Sequence, residues 1–476
     1  MTKNYWSDDE SSSELDPISS LLSEWTDPEE DEEEFRSDFF QGLAGRRQKA
    51  AFVLIAIWTV IIGLHLVNWG SWVILALTVV LAIHALRIMF AQPEATPIPL
   101  SDEALVTAPH VSLIVAAKNE EAVISRLVTT LCNLDYPLNK YDVWIIDDYS
   151  TDQTPVILDQ LAEQYPQLNV IHRPANAGGG KSGALNQVLK LTKGDLIGVF
   201  DADAHVSADM LKSVVAMFEA SEMGAIQVRK AIINDEVNFW TKGQKAEMAV
   251  DSYYQQQRIA IGGMGELRGN GQFVRRKALE SCGGWNEQTI TDDLDLTIRL
   301  HLDDWKIGIL MTPAVGEEGV TNAVALWHQR NRWAEGGYQR YMDYWRWMIN
   351  APMGLKKKVD LLFFFFLQYI LPTAAVPDLF MVVTRHHAPL LTPITGLIFF
   401  LSFWGMSTGL RRIESEEKLS FANFINTAWA TLRGTVYMMH WFVIIPSITA
   451  RMSVRPKRLK WVKTVHQGSS QENFEF

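Results

Sequence analysis

Two apolar runs decide what this chain can be. Residues 50–66 and 72–89 are each close to the ~20 residues that cross a bilayer as a helix. Only the polar break Asn68-Trp69-Gly70-Ser71 parts them. A backbone in hydrocarbon must satisfy its own hydrogen bonds, so such runs fold as helices, here over 46–91 as a transmembrane hairpin. The first run starts too late, and lacks the flanks, to be a cleaved signal. Arg46, Arg47 and Lys49 precede it and Arg87 closes the second. The positive-inside rule then places both ends of the hairpin, and the domain that follows, in the cytosol.

Further apolar spans are expected within 359–450, at 359–383, 390–410 and 431–450. Lys356-Lys357-Lys358 lie before them, and the tail 451–476 is basic. Both flanks favour the cytosol, yet five crossings would put the tail on the far side. Either one C-terminal segment is interfacial or re-entrant, or 359–383, broken by Pro372 and Pro377, does not cross simply. Residues 336–358 crowd Tyr338, Tyr341, Tyr344, Trp345 and Trp347 beside Arg340 and Arg346, a composition that predicts an amphipathic helix in the membrane interface.

The formal net charge is −12, and the first 40 residues carry 14 acidic groups against Lys3 and Arg36. The remainder is therefore near neutral, and no basic footprint for nucleic acid exists. The acidic segment 1–45 cannot bury enough apolar surface to offset its chain entropy and is expected to be disordered. Cys132 and Cys282 are the only cysteines. They show no zinc spacing, and in the cytosol they stay reduced.

After a proline-bearing linker at 92–100, residues 105–335 change pattern. Apolar runs at 110–117, 143–147, 170–172 and 196–201 read as strands. Amphipathic stretches at 120–133, 155–165, 182–191 and 208–220 read as helices. That alternation predicts an α/β domain with a parallel sheet.

Several strand ends carry chemistry. The strand at 143–147 runs into Asp147-Asp148, where carboxylates can accept hydrogen bonds from a base or ribose; Asp-rich helix starts are also common as caps. The strand at 196–201 ends in Asp201-Ala202-Asp203. Two such carboxylates can share one Mg2+ with substrate phosphates, and a diphosphate leaving group needs that neutralisation. Between them, Asn176-Ala177-Gly178-Gly179-Gly180-Lys181 lets backbone approach a ligand and aims a lysine at a phosphate. It is not a P-loop, because the spacing is wrong. Thr291-Asp292-Asp293 opens a helix, and a carboxylate there can serve as general base or simply complement the helix dipole. In Gln329-Arg330-Asn331-Arg332-Trp333 a cation can hold diphosphate and an indole offers a flat face to a sugar.

Taken in order, Lys118-Asn119-Glu120, Asp147-Asp148, Lys181, Asp201-Ala202-Asp203, Thr291-Asp292-Asp293 and Gln329-x-x-Arg332-Trp333 resemble the family-2 glycosyltransferases. The closest likeness is to the membrane branch that holds cellulose, chitin and hyaluronan synthases. The resemblance covers roughly 110–333, and Trp461-Val462-Lys463-Thr464 is also similar to that branch. It implies a GT-A, Rossmann-like cytosolic domain flanked by transmembrane helices, acting by inversion on a UDP-sugar.

Position by position, the resemblance implies a uridine contact at Asp147 or Asp148 and donor contacts at Asn119, Glu120, Lys181 and Asp201. It implies a Mg2+ site, or Mn2+ in its place, at Asp201 and Asp203. Asp293 would be the catalytic base, and Gln329, Arg332 and Trp333 would line the donor and acceptor site. Ala116-Ala117 stands where the family commonly has a proline, and Asp292 where glutamate is commoner. The short hairpin, acidic extension and compact length are similar to cyanobacterial members that add one glucose to diacylglycerol. That makes a β-glucosyl lipid the expected product, with a processive polysaccharide synthase as the competing reading. A scaffold with a dead site is disfavoured, because every expected carboxylate is present.

Overall fold

The computed structural model describes residues 46–413 and 421–454. The acidic segment 1–45 and the basic stretch 455–476 lie outside the described residues.

Helices α1 (Arg46–Leu66) and α2 (Gly70–Met89) form the hairpin. Its turn needs a glycine: a Cβ on Gly70 would lie 1.9 Å from the Leu64 carbonyl oxygen. The next domain runs β1 (Val111–Ala117), α3 (Ile124–Cys132), β2 (Tyr141–Asp147), α4 (Thr154–Gln164), β3 (Leu168–His172), α5 (Gly180–Leu189) and β4 (Leu196–Phe200). It continues through α6 (Met210–Ala216), β5 (Met223–Ile232), α7 (Phe239–Ala260), β6 (Gln272–Arg275), α8 (Arg276–Ser281), α9 (Asp292–Leu302) and β7 (Lys306–Glu317).

The seven strands lie in the order β3-β2-β1-β4-β6-β5-β7. β1 sits between β2 and β4, parallel to both. Leu113 and Val115 of β1 enter one core while Ile114 enters the other. A strand covered on both faces must be apolar on both, which is why its sequence reads as a continuous run. The sheet is not wholly parallel as expected. Four-residue β6 is antiparallel to both β4 and β5, and such a short strand leaves little periodic signal.

α10 (Ala323–Asn350) follows as one helix of 28 residues. Residues 336–358 therefore do not make a helix of their own. Their first part continues α10, and the chain breaks at 351–354 before α11 (Leu355–Phe365). Tyr338, Tyr341 and Tyr344 are buried, and Tyr341 meets Phe365 at 4.4 Å between ring centres. Trp345 and Trp347 stay exposed. Arg46 of α1 pairs with Asp343, and Lys49 Nζ donates to the Met342 carbonyl at 3.1 Å. These contacts lock α10 to the hairpin.

A π-helical turn at Phe366–Ile370 joins α11 to α12 (Leu371–Arg385). Then come α13 (Thr392–Ile413), α14 (Phe421–Met438) and α15 (Trp441–Val454). Among the described residues, four helical stretches are long and apolar enough to cross a membrane: α1, α2, Leu355–Arg385 and α13. The expected span at 431–450 is not one helix. It breaks at Met439-His440, where Tyr437 and Trp441 both donate to Glu247, at 3.0 and 2.9 Å. These bonds hold the break against α7. The 14 residues of α15 reach only ~21 Å at 1.5 Å per residue, short of a ~30 Å hydrocarbon core. At the far end of α1, His65 Nε2 meets Asp378 Oδ1 of α12 at 2.7 Å.

Candidate active site

β1, β2 and β4 leave the sheet on one side, and β1 is where the strand order reverses. Open α/β sheets bind ligands in that crevice. After β1, Asn119 adopts a left-handed backbone with φ 54°. Its N–H donates to Ser150 Oγ at 2.8 Å, and its Oδ1 accepts from the Thr151 N–H at 2.7 Å. The N–H of buried Glu120 donates to Thr154 Oγ1 at 2.8 Å. These bonds clamp the loops after β1 and β2 together.

The two adjacent aspartates divide their roles. Asp147 is buried, accepts the Ser150 N–H at 3.0 Å and meets His172 Nδ1 at 2.9 Å. It braces the loop. Asp148 faces the cavity and pairs with Arg173. Burial raises its pKa, with the Arg173 and Lys118 charges opposing. Arg173 was not expected from sequence. It is itself buried, and donates to the carbonyls of Gly178 at 2.5 Å and Gly180 at 3.2 Å. One guanidinium thus couples Asp148 to the glycine loop.

That loop turns into α5 through Gly179 and Gly180, with φ of 79° and 51°. A Cβ on Gly179 would lie 2.4 Å from Glu287 Oε2. The turn places Lys181 in the first helical turn, with Nζ 2.6 Å from Asp201 Oδ1. Burial works against the ammonium, but the charges of Asp201, Asp292 and Asp293 outweigh it and hold Lys181 protonated. The Asp201 N–H donates to Asn270 Oδ1 at 3.2 Å, and buried Asp203 accepts the Glu318 N–H at 3.2 Å. The turn after β4 is thereby tied to the ends of two other segments.

Asp293 begins α9 beside Asp292. Its Oδ1 accepts the Leu294 N–H at 2.8 Å. Burial and then the like charge of Asp292 push its pKa up to about 6, against the pull of Lys181 and Lys230. Thr291 occupies the N-cap without a side-chain cap bond, so its hydroxyl does not cap the helix. Its side chain lies instead against α10, where a Cβ on Gly336 would come within 2.2 Å of Thr291 Oγ1.

Gln329, Arg332 and Trp333 project from α10 into the same space. Burial lowers the Arg332 pKa, opposed by Asp201 and Asp293. The indole of Trp333 is not bare. The Arg330 guanidinium packs over it at 4.0 Å, and Lys230 Nζ lies 5.6 Å from its centre. Arg330 also donates to Gln329 Oε1 at 2.5 Å and pairs with buried Glu247. Lys230 and Arg330 are further groups that spacing did not single out.

One cavity of about 1090 Å³ collects these groups. Glu120, Asp148, Lys181, Asp201, Asp203, Asp293, Gln329, Arg332 and Trp333 line it, whereas Asn119 and Asp147 do not. The cavity continues between the apolar helices, past Leu81, Phe363, Leu397 and Phe442. Among the described residues no three His, Cys, Asp or Glu side chains gather as a complete metal cage. Asp201 and Asp203 alone fit a hard cation that takes its other ligands from phosphates and water.

Residues 112–283 match the family described as Glycosyl transferase family 2. Over 472 residues the chain is 60 % identical to the beta-monoglucosyldiacylglycerol synthase of a Synechocystis species, covering 99 % of this chain and 98 % of that one. The protein of the same name from Trichormus variabilis is 59 % identical, with coverage of 99 % and 100 %. A mannosyltransferase from Pyrobaculum calidifontis, solved with GDP-Man and Mn2+, superimposes with a TM-score of 0.54 at 18 % identity, covering 85 % of this chain and 98 % of that one. That likeness establishes the GT-A fold. Identity of this extent, carried by a chain with this fold and these carboxylates, makes it a glycosyltransferase of family 2 that belongs with the beta-monoglucosyldiacylglycerol synthases.

Proposed function

We propose that the protein transfers glucose from UDP-glucose to the free hydroxyl of diacylglycerol, with inversion, and makes a β-monoglucosyl lipid. The observation that carries this reading is the single cavity that joins the carboxylate site to the space between apolar helices. A water-soluble donor can enter at the sheet edge, and a lipid acceptor can reach the same carboxylates without leaving the membrane.

In this mechanism Asp148, held by Arg173, accepts a hydrogen bond from the nucleoside. Lys181 and Arg332 sit beside Asp201, where the diphosphate lies, and offset its charge. A divalent cation held by Asp201 and Asp203, Mg2+ or Mn2+, would supply further neutralisation of the leaving diphosphate. Asp293 takes the proton of the acceptor hydroxyl as its oxygen attacks the anomeric carbon. The bond from that carbon to the diphosphate oxygen breaks, and its electron pair leaves with UDP. A single displacement on an α-linked donor gives a β-glycoside.

On this reading the four apolar helical stretches each cross the membrane, and an even number returns the chain to its starting side. The basic residues at Arg46, Arg47, Lys49, Arg87 and Lys356–Lys358 then assign that side, and the catalytic domain with it, to the cytosol.

The test is direct. Purified protein receives a divalent cation, radiolabelled UDP-glucose and diacylglycerol, and products are separated by thin-layer chromatography. One discrete lipid spot that depends on diacylglycerol is expected. Label held at the origin as high-mass material would overturn the lipid reading in favour of a polymer.

A further inference from the structure

The membrane half of the cavity holds polar groups that sugar transfer does not use. His84 lies in α2, five residues before its end at Met89, or roughly 7 Å along the helix at 1.5 Å per residue. Only 7 % of it is exposed, and its ring stacks on Phe363 at 4.3 Å with 12° between planes. It lines the cavity. Neither ring nitrogen has a hydrogen-bond partner among the described residues. The carboxylate that faces it, Asp360, is 4.0 Å away, beyond hydrogen-bond reach. Asp360 is also occupied: Arg258 Nε lies 3.0 Å from both its oxygens, and Oδ2 accepts Arg258 Nη2 at 2.8 Å and the Met264 N–H at 2.9 Å.

Gln368 adds a second such group. It stands on the π-helical turn Phe366–Ile370, lines the same cavity, and its Oε1 has no partner among the described residues. Local π-helical turns often mark functional positions. The other charged side chains on this floor of the cavity are paired with one another. Arg268 bonds Asp251 at 2.8 Å and Glu266 at 2.6 Å, and Arg340 reaches Glu266 at 3.2 Å.

An ionisable side chain in an apolar helix is costly and as a rule faces a partner or a cavity. A buried polar group left unpaired costs more than the bond it could make. The group that completes His84 must arrive inside an apolar cavity, near the interfacial end of a spanning helix, and must hydrogen-bond an imidazole, whose N–H seeks an acceptor. The acyl ester carbonyl of a glycerolipid meets each condition. Neutral imidazole has one N–H in either tautomer, so the match does not depend on which nitrogen carries it.

We propose that His84, on the cavity that Gln368 also lines, is the ester-recognition subsite for the acceptor: the imidazole donates to an acyl ester carbonyl of diacylglycerol and so sets where its free hydroxyl lies relative to Asp293. This rests on the lipid-acceptor reading above. His84 acts through the acceptor's position and takes no proton from it.

The experiment compares 1,2-diacylglycerol with the matching 1,2-dialkylglycerol, which lacks both carbonyls. Full-length protein sits in discs of ether-linked phospholipid, so that the acceptor is the sole source of esters. One net hydrogen bond is worth about tenfold in kcat/KM. Wild type should prefer the diester by about that factor, His84→Phe should bring the ratio near one, and His84→Gln, which keeps a donor, should restore most of it. The preference should appear in KM for acceptor and leave KM for UDP-glucose alone. A ratio unchanged in both variants would overturn the subsite. So would a preference that follows the linkage of the disc phospholipid when ester-linked discs are substituted, because the ester would then belong to a bystander lipid. Wild type that glucosylates neither acceptor would sink the acceptor reading itself, and the subsite with it.

Discussion

Protonation of Asp293 should stop the transfer. An ordinary aspartate titrates near 3.8, whereas burial and the neighbouring Asp292 charge bring this one to about 6. A general base must be ionised to accept a proton. One pH unit below that value only about a tenth of the carboxylate is ionised, so kcat/KM, which follows the free enzyme, should drop roughly tenfold from its plateau by pH 5. The assay is the initial rate of label transfer into extractable lipid between pH 4.5 and 8.5.

Asp293→Asn should lower kcat by ~10²–10⁴, the usual contribution of a positioned base, and should erase the acid limb. Asp292→Asn removes the like charge and should move the inflection to lower pH. The stability sign runs the other way from activity. The folded-state pKa lies above the unfolded value, so the folded protein binds this proton more tightly between about 3.8 and 6. Ionised Asp293 therefore costs stability above that window, and the cost is relieved as pH falls through it. Asp293→Asn should melt no lower than wild type at pH 7.5 while it loses turnover. An Asn variant that keeps more than about a tenth of wild-type kcat, or an inflection that ignores Asp292→Asn, would refute the assignment.

Asp203→Asn should raise the cation concentration for half-maximal rate by at least about tenfold, read by Mn2+ titration, because one of two carboxylates is lost; an unchanged titration would remove Asp203 from the metal site. Gly336→Ala puts a methyl group 2.2 Å from Thr291 Oγ1 and should displace Asp293, at a cost near 10²-fold in kcat with UDP binding retained. Glu247→Leu leaves buried Arg330 without its carboxylate, a loss of ~3–5 kcal/mol that should appear as a clear fall in melting temperature, with Glu247→Gln milder. A cysteine at His386, between α12 and α13, should react with an impermeant thiol reagent only from the non-cytosolic side. Cys132 and Cys282 are buried and give little background, and labelling from the cytosol would reverse the orientation.

The legible half of the site is the half in which neighbours along the chain are also neighbours in space. β1, β2 and β4 each end in the motif they deliver, so a strand period followed by carboxylates is enough to find them. The sheet beyond β4 is harder to see. Residues of β5 pair with β7 through two register shifts, between Met223 and Ala225 and between Val228 and Lys230, and each shift interrupts the period of two on which strand recognition depends. α7 is harder still. Gln244, Gln255 and Gln257 are buried in it at positions where an amphipathic pattern would demand apolar side chains. The amide nitrogen of each donates to a backbone carbonyl from another segment: Gln244 to Val320 at 2.8 Å, Gln255 to Glu266 at 2.7 Å and Gln257 to Ile88 at 2.8 Å. The last joins the catalytic domain to the end of α2. Arg258, also in α7, reaches Asp360 of α11, across 102 positions of sequence. Buried polar groups need partners that hydrophobic periodicity does not report, so a polar helix that cements a catalytic domain onto a membrane hairpin looks, in sequence, like a solvated one. The same physics makes an unpaired group that faces a cavity informative. Gln257 finds a carbonyl on α2, and His84, four residues before that carbonyl on the same helix, finds no hydrogen-bond partner among the described residues; an interface that satisfies the first and leaves the second facing a cavity has room for a ligand there.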